Sequence, residues 1–180
     1  MKELFTEYLP LFTAICRRYA ENDSDAKDLV QEGFIKIFSS IHAFEWKGQG
    51  SFSGWMKRII INNAIDYCKK RQKHAFYSIE ELGQHIERDE EPDEEEFFQL
   101  TSKTLAEMGF IQQDLIPILQ QVPEPFRTVF NLYVIEGKKH KEIADILNIP
   151  EKTSTTRLVR ARKIVKQELE KKFSGHLVTK

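Results

Sequence analysis

Apolar positions recur at three- and four-residue spacing through the first seventy-five residues, then lose that rhythm, then recover it near residue 115. Leu4, Tyr8, Leu11, Phe12, Ile15 and Tyr19 predict an amphipathic helix over residues 3–20. In the NDSDA stretch that follows, Asp23 or Ser24 is placed to cap a second helix, with Asp25 complementing its dipole. Ala26, Leu29, Val30, Phe34, Ile37, Phe38 and Ile41 give that helix a wide apolar face to about Ala43. After the loop EWKGQGS, Ser51 or Ser53 starts a third helix, which carries Trp55, Ile59, Ile60, Ala64 and Tyr67 and ends in KKRQKH. Three such helices close a small core, so residues 1–75 are read as a first domain, with Trp55 inside it.

From 76 to 112 the rhythm fades into a linker, with weak apolar recovery at Phe97, Phe98, Leu100, Leu105, Met108, Phe110 and Ile111. A second domain is expected over 113–174. DLIPILQQV opens it, Pro123 and Pro125 start a helix through PFRTVFNLYVIE, and Gly137 stops that helix. HKEIADILN forms a short helix, NIP a turn, and EKTSTTRLVRARKIVKQELEKK a longer basic helix. No strand-like alternation of useful length occurs, so the fold class is all-α: two small helical domains joined by an acidic linker.

Charge sharpens this division. The formal net charge is only −1, but it is a cancellation between blocks. Residues 47–74 carry seven Lys and Arg against one Asp, residues 138–172 eleven against five acids, and residues 80–96 ten acids against one Arg. Like charges in series hold a segment open, as a linker requires. The N-terminus is interrupted by charge every few residues and reads neither as a signal peptide nor as a membrane span. Cys16 and Cys68 are far apart and lack ligand spacing, which favours small buried hydrophobes in a reducing cytoplasm. The five His are scattered, and no GxSxG, HExxH or phosphate-binding loop occurs. No catalytic residue, metal site or cofactor is therefore assigned.

KKHKEIADILNIPEKTSTTRLVRARK has the layout of a helix-turn-helix. Ile143, Ala144 and Leu147 pack the first helix, Ile149 plugs the turn, and Leu158, Ala161 and Val165 hold the second helix. This leaves Lys152, Thr155, Thr156, Val159, Arg160 and Lys163 on the outer side, where short hydroxyls and cations suit base edges and phosphates in a major groove. A solvated helix in an ordinary bundle is the plainer account of the same pattern.

The combination of SDAKDLVQEGFIKIF and GSFSGWMKRIIINNAIDYCKKR with PEPFRTVFNLYVIEGKKHKEIADILNIPEKTSTTRLVRARK resembles the extracytoplasmic-function sigma factors of the sigma-70 superfamily. These are promoter-specificity subunits of bacterial RNA polymerase. The resemblance implies a first domain that binds core polymerase and the melted −10 element, and a second that binds −35 duplex. It implies docking of Asp28, Leu29, Gln31, Glu32 and Lys36 on the clamp of the largest subunit, and of the second domain on the flap of the second largest. It places Trp46, Lys47, Lys57, Arg58, Asn62, Asp66, Lys69, Lys70 and Arg71 against the −10 strand. Lys152, Thr153, Thr155, Thr156, Arg157, Val159, Arg160 and Lys163 fall against the −35 element. Trp46 has two readings, stacking on a flipped base or pinning its own loop. The implied partners are core polymerase, promoter DNA and an anti-sigma protein, in the cytoplasm, with no small-molecule substrate. The acidic run, ERDEEPDEEEFF, would lie in the polymerase's basic channels or shield the flanking domains.

Three positions depart from the family pattern. Pro150 precedes the recognition helix, where a side-chain cap is common. Ser154 stands where an apolar residue usually packs, and Thr155 with Thr156 replaces a basic-plus-Ser pair. Two other classes explain part of the chain. A repressor-like regulator accounts for residues 138–172 but gives the first domain no task, and an enzyme lacks its constellation.

Overall fold

The computed structural model describes residues 2–74 and 115–176, and every element in them is helical. The acidic stretch and the apolar positions from Phe97 to Ile111 lie outside the described residues. The chain divides into two compact units, Met1–Arg71 and Gln72–Lys180.

The first unit contains α1 (Lys2–Tyr19), α2 (Asp23–Ser40), a 3₁₀ turn at Ile41–Ala43, and all but the last three residues of α3 (Ser51–His74). Helix α2 starts at Asp23, so its cap is Asn22 rather than Asp23 or Ser24. Asn22 is extended (φ −147°), and its Oδ1 accepts from the Asp25 N–H at 2.9 Å. The core joins Phe12, Ile15, Cys16 and Tyr19 to Leu29, Val30, Phe34 and Ile37, with Met56, Ile60, Ala64 and Cys68 from α3. Burying each large side chain here contributes about 1.5–3 kcal/mol. Phe12 and Phe34 lie 5.3 Å apart, in the tilted geometry aromatic pairs prefer. Helices α2 and α3 approach so closely at Gly33 that a Cβ there would sit 2.3 Å from Ile60 Cδ1. Both cysteines are buried thiols outside any disulfide, and burial pushes the Cys16 thiol up to about 12.

The second unit contains α4 (Leu115–Leu119), α5 (Glu124–Phe130), α6 (His140–Leu147) and α7 (Glu151–His176). Pro123 stands at the N-cap of α5. Its sequence suggested one α-helix through Glu136, but after Phe130 the chain widens into a π-turn over Asn131–Ile135. There the Glu136 N–H reaches back to Asn131 O at 2.9 Å. Glu142 starts α6 by accepting from the Lys139 N–H at 2.9 Å. That bond, then its contact with Lys138, holds its carboxyl below the usual carboxylate range. Asn148, at φ 53°, ends α6 in the left-handed region. Leu158, Ala161, Val165 and Leu169 bury one side of α7, and Phe126, Val129 and Phe130 are buried on α5. No described helix is long and apolar enough to cross a membrane.

Candidate nucleic-acid interface

Helix α2 exposes Asp28, Gln31 and Glu32 in one stripe. Leu29 does not join them. One residue on from Asp28 it has rotated to the apolar side, and at 3% exposed it is part of the core. Lys36 is also drawn inward. Its ammonium pairs with Glu32 at 3.1 Å and donates to Asn63 Oδ1, while Asn63 Nδ2 donates to Leu29 O at 3.1 Å. Lys36 thus braces α2 against α3 through a buried amide that periodicity alone did not single out. The sequence reading also omitted Ile35, which is 68% exposed and three residues from Glu32. Its signal was an apolar residue out of phase with the core-facing series.

On α3, Arg58, Asn62, Asp66 and Lys70 form an exposed row at four-residue spacing, with Lys57 and Lys69 half-exposed beside it. Arg71 is taken out of that row. It pairs with Glu21, and its guanidinium lies 5.5 Å from the Tyr67 ring centroid. The Tyr67 hydroxyl in turn donates to Asp25 Oδ2 at 2.6 Å. Burial first, and this bond second, raise the phenol above its ordinary value.

The loop before α3 is built on an aromatic base. Phe44 lies 5.0 Å from Phe52 and 5.3 Å from Trp55, and Phe52 stacks on Trp55 at 5.9 Å. Trp55 is half-buried in this cluster rather than sunk in the helical core. The Ser51 hydroxyl donates to Gly48 O at 2.7 Å, and the Lys47 N–H donates to Ser51 Oγ at 3.2 Å. Gly48 and Gly50 hold φ of 110° and 81°, which L side chains rarely adopt. Trp46 is left 69% exposed on this fixed loop. It stands outside the Phe44, Phe52 and Trp55 cluster.

On α7, Lys152 and Thr156 are exposed, and Thr153, Thr155, Val159, Arg160 and Lys163 are half-exposed. Thr155 and Thr156 donate their hydroxyls back to Glu151 O (3.3 Å) and Lys152 O (2.9 Å), so their remaining polar capacity is as acceptors. Acceptors beside methyl groups match the amino groups and thymine methyl of a major groove. Arg160 lies over the Phe126 ring at 5.6 Å. Arg157 departs from the outer-face assignment at 7% exposed. It stands three residues after buried Ser154 and four before buried Ala161, on the inward edge of the helix. Ser154 is accommodated without an apolar partner because its Oγ lies 2.9 Å from His140 Nδ1. That contact ties α6 to the first turn of α7. Among the described residues no cluster of three or more His, Cys, Asp or Glu could hold a metal.

Two family models match this chain, sigma-70 region 2 over residues 4–74 and sigma-70 region 4 over residues 112–165. The chain belongs to the sigma-70 family, in its extracytoplasmic-function group. This sigma factor is 27% identical over 175 residues to the ECF RNA polymerase sigma-E factor of Haemophilus influenzae, covering 93% of this chain and 86% of that one. It is 28% identical over 165 residues to the ECF RNA polymerase sigma factor SigW of Bacillus subtilis, covering 86% and 81%. A solved sigma factor, RpoE in complex with the anti-sigma factor NepR from Bartonella quintana, aligns at TM-score 0.49 and 20% identity, over 94% of this chain and 96% of that one. Within the sigma factor, the region 2 match spans α1–α3 and the exposed loop. The region 4 match spans α4–α6 and the first half of α7.

Proposed function

We propose that this chain is an alternative sigma factor that directs RNA polymerase to its promoters by dividing DNA recognition between its units. The observation that carries the reading is the presence of regions 2 and 4 in one chain, each on its own helical unit. The domain over 1–75 docks on the polymerase clamp through Asp28, Gln31 and Glu32, with Ile35 as the apolar centre of the contact. Its α3 row, Arg58, Asn62, Asp66 and Lys70 with Lys57 and Lys69, follows the non-template strand. Trp46, with Lys47 beside it, stacks on an unpaired −10 base. The domain over 113–174 lays α7 in the −35 major groove and contacts the flap of the second-largest subunit. Promoter opening in this scheme draws on binding energy for the single strand, so the protein itself needs no catalytic group. We place it in the cytoplasm with the polymerase, under the control of an anti-sigma protein.

The test is to mix the purified full chain with bacterial core polymerase and a genomic promoter library. Co-elution with core and run-off transcripts from templates sharing two spaced motifs are expected. Retention on duplex DNA without any affinity for core would instead make the chain a repressor-like regulator.

A further inference from the structure

Three features of the second unit play no part in the outer face of α7. They are the π-turn after Phe130, the hydroxyl buried at Ser154 where an apolar residue usually packs, and the buried Arg162. Side-chain contacts join them into one circuit. Ser154, wholly buried in the first turn of α7, has its Oγ 2.9 Å from His140 Nδ1. His140 is the first residue of α6, and its ring stacks on Tyr133 with centroids 4.6 Å apart. Tyr133 leaves the chain inside the π-turn, so the widened backbone there sets the direction of its ring. The Arg162 guanidinium lies over that ring, 5.6 Å from its centroid. Arg162 is again on α7, eight residues and about 12 Å of helix beyond Ser154. One chain of contacts therefore leaves α7, passes through α6 and the π-turn, and returns to α7.

Apolar packing is non-directional and tolerates a small roll of one helix on another. A hydrogen bond and a ring stack fix both distance and direction. The start of α7 needs such a constraint. Pro150 has no backbone N–H and no side chain that can cap, and the first turn closes through the Thr153 and Ser154 N–H groups on Pro150 O at 3.0 and 3.2 Å. Around the helix from Ser154, the Thr155 and Thr156 hydroxyls donate to Glu151 O and Lys152 O. Those two side chains are fixed to the helix, so they point where the helix points.

We propose that His140 is a positioning residue: with Ser154, Tyr133 and Arg162 it sets the angle at which α7 meets the −35 groove, and so its discrimination among base pairs. The inference rests on the −35 reading above and deepens it. The four side chains act through α7 rather than by touching DNA. A helix that can roll presents the Thr155 and Thr156 acceptors to more than one base pair, and a helix held at two points presents them to one. Opening the circuit costs discrimination more than affinity, because backbone contacts carry no sequence information and survive a small roll.

The test uses the full chain bound to core polymerase, transcribing from templates that carry the recovered −35 motif or single-base-pair variants of it. The ratio of transcript from the motif to transcript from each variant template is read beside affinity for an unrelated duplex. Ser154→Ala, and His140→Phe, which keeps the ring but not its nitrogens, should each lower the ratio about threefold to tenfold at one or two positions. Affinity for the unrelated duplex should not change. The double variant should lose no more than either single, since a circuit opened once is open, and additive losses would overturn it. Tyr133→Phe, which keeps the stacked ring, should retain the wild-type ratio, and Tyr133→Leu should lower it as Ser154→Ala does. Where circular dichroism shows that Ser154→Ala has lost its helices, the half-exposed Tyr133 decides, and equal ratios for its two variants would overturn the proposal. Folded Ser154→Ala and His140→Phe chains with wild-type ratios would overturn the circuit while leaving the −35 reading intact. Equal losses on motif and unrelated DNA, with the ratio unchanged, would make these contacts structural only and overturn it as well. A wild-type chain that shows no preference for any −35 sequence overturns the −35 reading and the circuit together.

Discussion

The two units present different surfaces to nucleic acid. The first offers an aromatic ring on a fixed loop and a single row of charged and amide side chains along α3. The second offers a short-hydroxyl face at the start of a helix, whose hydroxyls already donate to its own carbonyls. A ring with a free face suits an unpaired base, whereas acceptors and methyls on a helix suit an intact groove. The units also differ in how they hold buried or half-buried cations. In the first, Lys36 and Arg71 find acids within the unit, and in the second Arg157 does not.

The largest effect that sharpens this comparison is expected at Leu29. Leu29→Ala should cost about 2–5 kcal/mol of unfolding free energy in a denaturant titration. Ile35→Ala should leave stability nearly unchanged and weaken binding to core polymerase. Equal stability losses at both positions would break the division of α2 into a core face and a docking face.

Trp46→Ala removes the ring and should cost about 1–3 kcal/mol of single-strand affinity on a −10 oligonucleotide, with duplex binding retained. Arg160→Ala should do the reverse, losing about 1–3 kcal/mol on the −35 duplex while the −10 oligonucleotide is held. Both variants leave the packed cores untouched, so their helical signals should match the wild type.

A smaller effect concerns pH. The Tyr67 pKa is raised in the folded state, so the unfolded chain releases the phenolic proton first, near its ordinary value of about 10. The stability contributed by the Tyr67–Asp25 bond is therefore fully present below that pH and is lost as pH rises toward the folded pKa. Thermal melts of the wild type should fall above about pH 10 more steeply than those of Tyr67→Phe. Parallel curves would mean that neither burial nor the Asp25 bond holds the phenol in its protonated form. Smallest of all, Glu21→Gln should cost less than about 1 kcal/mol, since its partnership with Arg71 is half-exposed and screened.

Much of this fold was legible because apolar spacing reports which way a helical residue points. The helix-turn-helix packing residues Ile143, Leu147, Leu158, Ala161 and Val165 lie on the faces that spacing assigned. Depth was less legible than direction. Leu29 is adjacent to the exposed polar stripe in sequence but a third of a turn away on the helix, and a motif match carried it across that angle. Arg157 and Arg71 sit near the edges of their exposed rows. Long cationic side chains there swing either outward or inward, according to partners the sequence does not display. Asn63, the amide that joins α2 to α3, gave no signal beyond being polar on the buried side. The cap of α2 was misplaced by one or two residues because Asn22, Asp23 and Ser24 are all competent caps, and only the backbone chooses among them.

The division of labour is tested most directly by run-off transcription with core polymerase on a template set varied separately at the −35 and −10 motifs. Arg160→Ala should become insensitive to −35 changes while still responding to −10 changes, and Trp46→Ala should show the opposite. If either variant loses both sensitivities in equal proportion, the two units do not read separate elements and the account fails.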